Sequence, residues 1–295
     1  MNVFSLDNVA DNPVERFSTG ITILDYLLGE TYIGLDEDGE EDYDFGMVPA
    51  SLIMLAGSAG CGKSRLALDI AARVNARNNK VAYFIPEATP SDLKGWAKGK
   101  IRNPSSFLVS DEADYKKQIE IIYAHKPKFV IVDSVNKYDV HHSKIREVID
   151  ALRKCAKETR TTILLIGQLD EKGSKMMVRG SQDWTFLPDV ILHAYKRELS
   201  FNEHKAKYQE TMKREAMNLG LKSLNFAQRN AIDIITKDTY EQEKAKYKNQ
   251  FVVAIPQKNR FGKTGTSVVF EHTDSGVKTW EPEPSEWIVN ALRQG

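Results

Sequence analysis

The octapeptide Gly57-Ser58-Ala59-Gly60-Cys61-Gly62-Lys63-Ser64 matches the pattern G-x-x-x-x-G-K-S. The apolar run 52–56 precedes it, and a helical pattern over 65–72 follows it. This order of strand, loop and helix is typical of a loop that binds phosphate with backbone N–H groups and with the positive end of the helix. We therefore predict that all eight residues bind a nucleotide, with the Lys63 ammonium on the β- and γ-phosphates and the Ser64 hydroxyl on Mg²⁺. The alternative is a glycine-rich turn that fits the pattern by chance.

The composition predicts a soluble protein with a sizeable core. The chain has 295 residues, 41% of them hydrophobic, which is enough for one large domain or for a domain with an insertion. Basic and acidic residues both number 41, so any nucleic-acid surface has to be local. The cysteines, Cys61 and Cys155, are too few for a four-cysteine zinc site and fit a reducing compartment. Because no secretory signal and no apolar run of about 20 residues is present, we expect a cytoplasmic protein.

Polar side chains follow three predicted strands. Glu87 comes shortly after the apolar run 80–85, Asp133 ends a second run, and Gln168 follows a third. In a parallel sheet, the carboxyl ends of the strands meet at the edge where the phosphate loop lies. There, Glu87 is placed to activate the attacking water, Asp133 to support Mg²⁺, and Gln168 to sense the γ-phosphate. The alternatives are a surface glutamate and a polar strand end.

A glycine-punctuated stretch, 169–183, carries the cations Lys172, Lys175 and Arg179. Loops of this kind bind the phosphates of single-stranded nucleic acid. We therefore predict these three residues as DNA-binding residues. A solvated loop that binds nothing is the alternative from composition alone.

Two further stretches differ from the rest of the chain. Residues 36–44 are acidic, and we expect a solvated surface loop because the full calcium-ligand pattern is missing. Residues 198–250 are rich in lysine and glutamate, and their pattern predicts an insertion with helices at about 203–218, 224–235 and 239–248. We expect the insertion to pack through Tyr208, Met212, Phe226, Ile232 and Ile235. A surface for DNA or for a partner protein is the alternative.

The order of the motifs resembles that of a RecA-type P-loop ATPase, which is an α/β fold with a mostly parallel central sheet. Three stretches resemble the RadA (Sms) family in particular. They are Ser18-Thr19-Gly20-Ile21, Gly46-Met47-Val48-Pro49 and Lys258-Asn259-Arg260-Phe261-Gly262, the last identical to the family's signature pentapeptide. The resemblance covers about residues 16–290 apart from the two insertions. We therefore expect a single ATPase domain over 1–295 that contains the acidic loop and the helical insertion.

The resemblance implies a DNA motor that depends on ATP and Mg²⁺. Members of the family form rings, usually hexameric, and drive branch migration on single-stranded or branched DNA in recombination and repair. By position, Lys258 and Arg260 would act in catalysis on nucleotide bound by the neighbouring subunit. Other copies of the chain, single-stranded DNA and a recombinase or replication protein are the expected partners. The alternatives are a replicative hexameric helicase core of the DnaB type and an ATP-gated ring that scaffolds a partner protein.

The sequence departs from the family at several points. The family's N-terminal zinc module and C-terminal protease-like domain have no counterpart in these residues. Gln168 stands where the family has a histidine, and Gly180-Ser181 replaces Gly-Pro in the DNA-facing loop. We therefore expect a reduced, divergent RadA-like ATPase.

Overall fold

The computed structural model describes residues 14–36, 38–170, 177–197, 200–220, 225–243, 250–255, 258–273 and 276–279. The chain divides into two compact units. The first comprises Met1–Tyr195, Val253–Val268 and Asp274–Val277, and the second comprises Lys196–Val252, Val269–Thr273 and Lys278–Gly295. The insertion predicted at 198–250 therefore lies within the longest segment of the second unit.

The described elements alternate between strand and helix through most of the first unit. The helices are α1 (Thr22–Leu28), α2 (Lys63–Ala76), α3 (Pro90–Trp96), α4 (Tyr115–His125), α5 (Ile145–Thr159), α6 (Asp183–Phe186), α7 (Phe201–Asn218) and α8 (Phe226–Glu243). The strands are β1 (Glu30–Leu35), β2 (Glu41–Phe45), β3 (Leu52–Gly57), β4 (Val81–Phe84), β5 (Phe107–Ser110), β6 (Phe129–Asp133), β7 (Thr162–Gln168), β8 (Val190–Arg197), β9 (Gln250–Ile255), β10 (Thr266–Thr273) and β11 (Gly276–Thr279). No helix among the described residues has an apolar segment long enough to cross a bilayer.

A nine-stranded sheet has the strand order β11-β10-β9-β8-β3-β7-β6-β4-β5. The pairings described for β3 to β8 are all parallel. Strands β3, β4 and β6 are buried along their whole length. They pack on both faces, which is why their sequences are continuous apolar runs and not alternating patterns. The prediction of an α/β protein with a mostly parallel central sheet is confirmed.

The strand register brings distant residues to one edge of the sheet. Gly57, the last residue of β3, is the register partner of Gln168 in β7. Asp133, the last residue of β6, is paired with Ile166 of β7. Helix α5 packs one apolar side on the sheet, where Leu152 and Met54 belong to the same buried cluster. The carboxyl ends of the strands therefore meet above a well-packed core.

The acidic stretch 36–44 is only partly a loop. Strands β1 and β2 pair antiparallel, and β2 begins at Glu41. Aromatic side chains explain why the strand forms, since the Tyr32 and Tyr43 rings lie 5.6 Å apart and the Phe45 and Tyr26 rings lie 4.4 Å apart. The expected surface loop is therefore the turn and second strand of a hairpin.

The second unit contains two described helices, α7 and α8, which contact each other. Tyr208, Met212 and Ile232 are buried as predicted, but Phe226 is 78% exposed because it stands at the first residue of α8. The predicted break between 235 and 239 is wrong, because that stretch contains neither proline nor glycine and the helix continues through it. The side chain of Ile235 and residues 244–248 of the predicted third helix lie outside the described residues.

Candidate functional site

The phosphate loop lies where β3 ends and α2 begins. Position 57 requires glycine, since a Cβ there would lie 2.1 Å from the Ala194 carbonyl oxygen. Gly60 and Gly62 have φ values of 68° and 115°, in the left-handed region that glycine adopts readily. Gly62 is the N-cap of α2, and no side chain caps the helix there. The N–H groups of the first turn are therefore available to an anion in front of the loop.

Lys63 is the buried cation of this loop. Its Nζ donates hydrogen bonds to the carbonyl oxygens of Gly57, at 2.9 Å, and Ser58, at 2.7 Å, and lies 3.8 Å from the Sγ of Cys61. These acceptors all belong to the loop itself. A phosphate oxygen is a charged and therefore stronger acceptor than a carbonyl, so the ammonium is positioned to exchange these bonds for a nucleotide.

Asp133 lies beside the loop, at the end of β6, and is largely buried. Its Oδ2 accepts a hydrogen bond of 2.9 Å from the Tyr83 hydroxyl, and the Ser64 hydroxyl is a second donor to the carboxylate. Burial raises the pKa of Asp133, while the bonds from Ser64 and Tyr83 oppose this rise. Burial, and then the nearby Asp133 carboxylate, also raises the pKa of the Tyr83 hydroxyl well above its ordinary value. Tyr83 was not among the predicted site residues, although a tyrosine hydroxyl inside a fully buried strand needs a hydrogen-bond partner.

The Ser64 and Asp133 oxygens fit a magnesium ion bound together with nucleotide. Mg²⁺ prefers oxygen ligands, keeps several waters and uses one or two protein groups plus the phosphates. A hydroxyl and a carboxylate that already touch each other match that donor set. No group of three or more histidine, cysteine, aspartate or glutamate side chains that could hold a metal occurs among the described residues. These two oxygen donors are therefore the candidates for the protein part of a magnesium site.

Glu87 is exposed and lies three residues beyond β4. Its Oε1 accepts a hydrogen bond of 2.5 Å from the hydroxyl of Ser134, the residue that follows Asp133 through a cis peptide bond. Ser134 is itself buried, so it fixes one carboxylate oxygen of Glu87, a residue that is exposed as a whole. The structure thus brings Glu87 and Asp133 to the same edge. Ser134 was missed because its role depends on a residue 47 positions away.

Gln168 lines an open cavity of about 440 Å³ together with Glu87 and Arg179. Asn136 reaches this part of the site as well, since its Oδ1 accepts from the Gln168 backbone N–H at 2.9 Å and its Nδ2 donates to the Arg179 carbonyl at 3.4 Å. The Arg179 N–H donates to the Gln168 carbonyl at 2.7 Å. Asn136 therefore links the end of β7 to Arg179. It was not among the residues predicted from the sequence.

Two of the three predicted DNA-binding residues, Lys172 and Lys175, lie outside the described residues. Arg179 is described and is exposed at the cavity edge. The structure therefore places one of the three cations, next to Gln168.

Lys258 and Arg260 lie at the opposite edge of the sheet from the phosphate loop. Arg260 forms a 2.8 Å ion pair with the buried Asp189, which precedes β8 and accepts the Leu52 N–H at the start of β3. The Lys258 Nζ donates to the carbonyl oxygens of Phe186 and Leu187. Burial, and then the nearby Arg260, lowers the pKa of Lys258. Since the six residues of β3 span about 20 Å, these cations are not brought together with Lys63 of the same chain.

The signature loop is held from the N-terminal segment. The Arg16 Nη2 donates to the Phe261 carbonyl, and the Asn259 Nδ2 donates to the Leu28 carbonyl at 3.0 Å. Burial is the main cause that lowers the pKa of Arg16. A Cβ on Gly262 would lie 2.7 Å from the Asn259 side chain and 2.9 Å from the Leu28 carbonyl oxygen. Packing and hydrogen bonding thus explain why the pentapeptide has asparagine at 259 and glycine at 262. Arg16 and Asp189 support this loop and were not predicted from the sequence.

Comparison with known proteins gives several similar proteins of the same name, three of which follow. DNA repair protein RadA of Aquifex aeolicus is 26% identical over 284 residues, which is 94% of this chain and 48% of that protein. RadA of Listeria monocytogenes is 27% identical over 51% of this chain and 36% of its own length. RadA of Bacillus subtilis is 30% identical over 50% of this chain and 33% of its own length. The chain spans about half or less of the length of these relatives.

A KaiC-like protein from Pyrococcus horikoshii has a similar fold. Its crystal structure superposes with a TM-score of 0.56 at 17% identity and covers 91% of this chain and 100% of that one. No protein-family model matches the chain. The comparisons confirm the predicted resemblance to RadA and the RecA-type fold.

Proposed function

We propose that this chain is an ATPase that uses Mg²⁺ and couples ATP hydrolysis to single-stranded or branched DNA in repair and recombination. The observation that supports it most is the cluster of Lys63, Ser64, Asp133 and Glu87 at one edge of the sheet. These residues lie at or shortly after the ends of three different strands, β3, β4 and β6. The Ser64 hydroxyl bonds Asp133, and Ser134 bonds Glu87. Lys63 bonds the carbonyl oxygens of its own loop. The RadA relatives supply the connection to DNA repair.

Each group in the cluster has a task in hydrolysis. The loop N–H groups and Lys63 would bind the phosphates, and Ser64 and Asp133 would hold Mg²⁺, which would neutralise phosphate charge when bound. Glu87 accepts a proton from the attacking water through its other carboxylate oxygen while Ser134 keeps the carboxylate in place. The water oxygen bonds to the γ-phosphorus as the bond to the bridging oxygen breaks, which yields ADP and phosphate. A base in this position contributes about 10²- to 10⁴-fold in rate.

The coupling to DNA is assigned to the segment 169–183. Gln168 at the end of β7 would sense the γ-phosphate, and its backbone bonds to Arg179 and Asn136 would carry that change to the segment. Arg179, with Lys172 and Lys175, would bind the sugar–phosphate backbone. Affinity for single-stranded DNA should then fall steeply with salt and depend little on sequence.

We assign Lys258 and Arg260 to a neighbouring subunit's nucleotide, in a ring that is hexameric by analogy with the family. Their distance from Lys63 in the same chain supports action between subunits. A cation supplied across an interface makes hydrolysis depend on assembly, because it stabilises charge that develops in the transition state. The cytoplasm is the compartment that this function requires.

The test is ATP hydrolysis with and without single-stranded DNA, at several protein concentrations. We expect stimulation by DNA, a specific activity that rises with protein concentration, and loss of hydrolysis in Lys63→Ala. Lys154→Ala on the exposed side of α5 is the matched control and should behave like the unchanged chain. Hydrolysis that ignores DNA would overturn the coupling. Assembly driven by ATP without any hydrolysis would instead identify a scaffold ring.

A further inference from the structure

The hairpin formed by β1 and β2 is an acidic projection from the first unit. We call residues 30–45 the acidic hairpin, since they contain eight carboxylates and no basic residue. Three of its apolar side chains are nevertheless exposed, with Tyr32 at 50%, Ile33 at 46% and Leu35 at 64%. Large apolar groups left in water on a charged element are typical of an interaction surface.

The base of the acidic hairpin is fixed to the first unit. Arg16 donates to the Thr31 hydroxyl at 2.7 Å and to the Gly46 carbonyl at 2.9 Å, and the Phe45 ring packs on Tyr26. A two-stranded hairpin alone is marginally stable in water, and these contacts stabilise its base. Nearer the tip, the Tyr32 and Tyr43 rings pack on each other, and the Asp36 carboxylate accepts the Asp38 and Glu40 N–H groups. The geometry of the exposed side chains is therefore set before any partner binds.

The complementary surface lies around the edge strand β5. We call residues 90–109 the basic groove, an open cavity of about 780 Å³ between α3 and β5. Its apolar lining includes Leu93, Ala97, Ile101, Phe107 and Val109. Residues 94–102 carry Lys94, Lys98, Lys100 and Arg102 and no carboxylate. Asp92 is the one carboxylate within residues 90–109, so the groove has four cations against one anion. It thus offers apolar area with a net positive surround, which is the opposite charge pattern to that of the acidic hairpin.

The two surfaces occupy separate positions along the sheet. The base of the acidic hairpin lies next to Phe261 and Gly262, in the connection from β9 to β10. Strand β5 is the last strand at the other end, six strand spacings from β9, or about 29 Å. Two different complementary surfaces on one chain produce a head-to-tail contact, which repeats from copy to copy and closes into a ring or extends into a filament.

We propose that the acidic hairpin of one copy of this chain docks into the basic groove of the next copy. The exposed Ile33 and Leu35 would enter the apolar cavity, and the hairpin carboxylates would pair with the groove lysines. This contact would be one interface of the self-assembly in the proposed function. It rests on the proposed function only for the choice of a second copy as the partner. It is independent of ATP hydrolysis and of DNA.

Two charge-reversed variants test the proposal together. The hairpin variant carries Asp38→Lys, Glu40→Lys, Glu41→Lys, Asp42→Lys and Asp44→Lys, which leaves three carboxylates beside five lysines in residues 30–45. The groove variant carries Lys94→Glu, Lys98→Glu and Lys100→Glu. In either variant alone, every contact between copies places like charges opposite each other. We therefore expect the self-association constant, measured by sedimentation velocity, to fall at least tenfold. Mixed in equal amounts, the two variants restore opposite charges at every contact and should assemble again. Assembly of the unchanged chain should weaken between about 0.1 M and 1 M salt.

The control variant carries Lys144→Glu, Lys154→Glu and Lys157→Glu, three exposed lysines near or on α5, and has the same charge change as the groove variant. It should assemble like the unchanged chain. Binding of a fluorescent ATP analogue, measured in parallel, reports on the fold and on the proposed ATPase site separately from assembly. Unchanged assembly in both reversed variants, or no assembly in their mixture, overturns the proposal. A groove variant that loses DNA binding at unchanged mass would also overturn it and assign the groove to nucleic acid.

Discussion

The hydrogen bond from Tyr83 to Asp133 should make the stability of the protein depend on pH in a defined way. Burial raises the pKa of Asp133, and the Tyr83 hydroxyl, at 2.9 Å, opposes that rise. Tyr83→Phe removes the donor and should raise the pKa of Asp133 further. A hydrogen bond to a charged group contributes about 1.5–3 kcal/mol, and one to a neutral group about 0.5–1.5 kcal/mol. The variant should therefore lose about 1 kcal/mol more where Asp133 is ionised than where it is protonated.

The sign follows from proton linkage. A carboxyl whose pKa is raised in the folded state favours folding at low pH, and this contribution is lost as pH rises through the folded-state pKa. A larger rise in the pKa of Asp133 makes this loss of stability at high pH larger. The destabilisation by Tyr83→Phe should accordingly grow between about pH 4, near the ordinary aspartate value, and pH 8. Urea unfolding at both pH values measures it as a change in midpoint at constant slope.

Tyr138→Phe is the matched control. The Tyr138 hydroxyl also donates a buried hydrogen bond, of 2.7 Å, but its acceptor is the Oε1 of Gln118, which does not titrate. Burial raises the pKa of Tyr138 as well, so the phenol stays protonated through this pH range. Its removal should cost about the same at both pH values. A loss for Tyr83→Phe that is equally independent of pH would refute the assigned coupling to Asp133.

Three further substitutions test the site. Glu87→Gln should lower the rate of ATP hydrolysis by about 10²- to 10⁴-fold with ATP binding retained, because the base is lost and the phosphate loop is not. Ser134→Ala should lower kcat by up to about 100-fold because Glu87 is misplaced, with little change in KM. A rise in KM as large as the fall in kcat would contradict a positioning role. Gly57→Ala should cost about 1–3 kcal/mol of stability and abolish ATP binding, since its Cβ would overlap the Ala194 carbonyl oxygen. Gly95→Ala in α3, where no atom lies within 4 Å of the added Cβ, should instead be neutral or stabilising by up to about 1 kcal/mol.

The pentapeptide shows where resemblance and structure contribute differently. Identity with the RadA signature singled out Lys258 and Arg260 and implied action across an interface. The structure adds the ion pair of Arg260 with Asp189 and the link from Asp189 to the first residue of β3. Whether these cations reach a second nucleotide stays a proposal, and the concentration dependence of hydrolysis tests it.

Local patterns were enough to predict the phosphate loop and the parallel core. The loop conformation depends on eight consecutive residues, whose glycines allow the required backbone angles. The buried strands are recognisable in the sequence as short apolar runs. Weaker local signals led to errors, as with the break predicted inside α8 and the burial predicted for Phe226. Helix ends and single-residue burial depend on contacts that neighbouring residues do not reveal.

The supporting residues of the site came only from the folded chain. The hydrogen bonds of the site join residues that are far apart in sequence. Tyr83 and Asp133 are 50 positions apart, Ser134 and Glu87 are 47 apart, and Arg16 and Phe261 are 245 apart. A parallel sheet joins neighbouring strands through long crossovers, so the residues that share an edge are far apart in sequence. Which hydroxyl bonds which carboxylate then depends on strand order and register, and these are set by packing over the whole core. The motif therefore carries the phosphate chemistry, and tertiary structure alone places the groups that orient it.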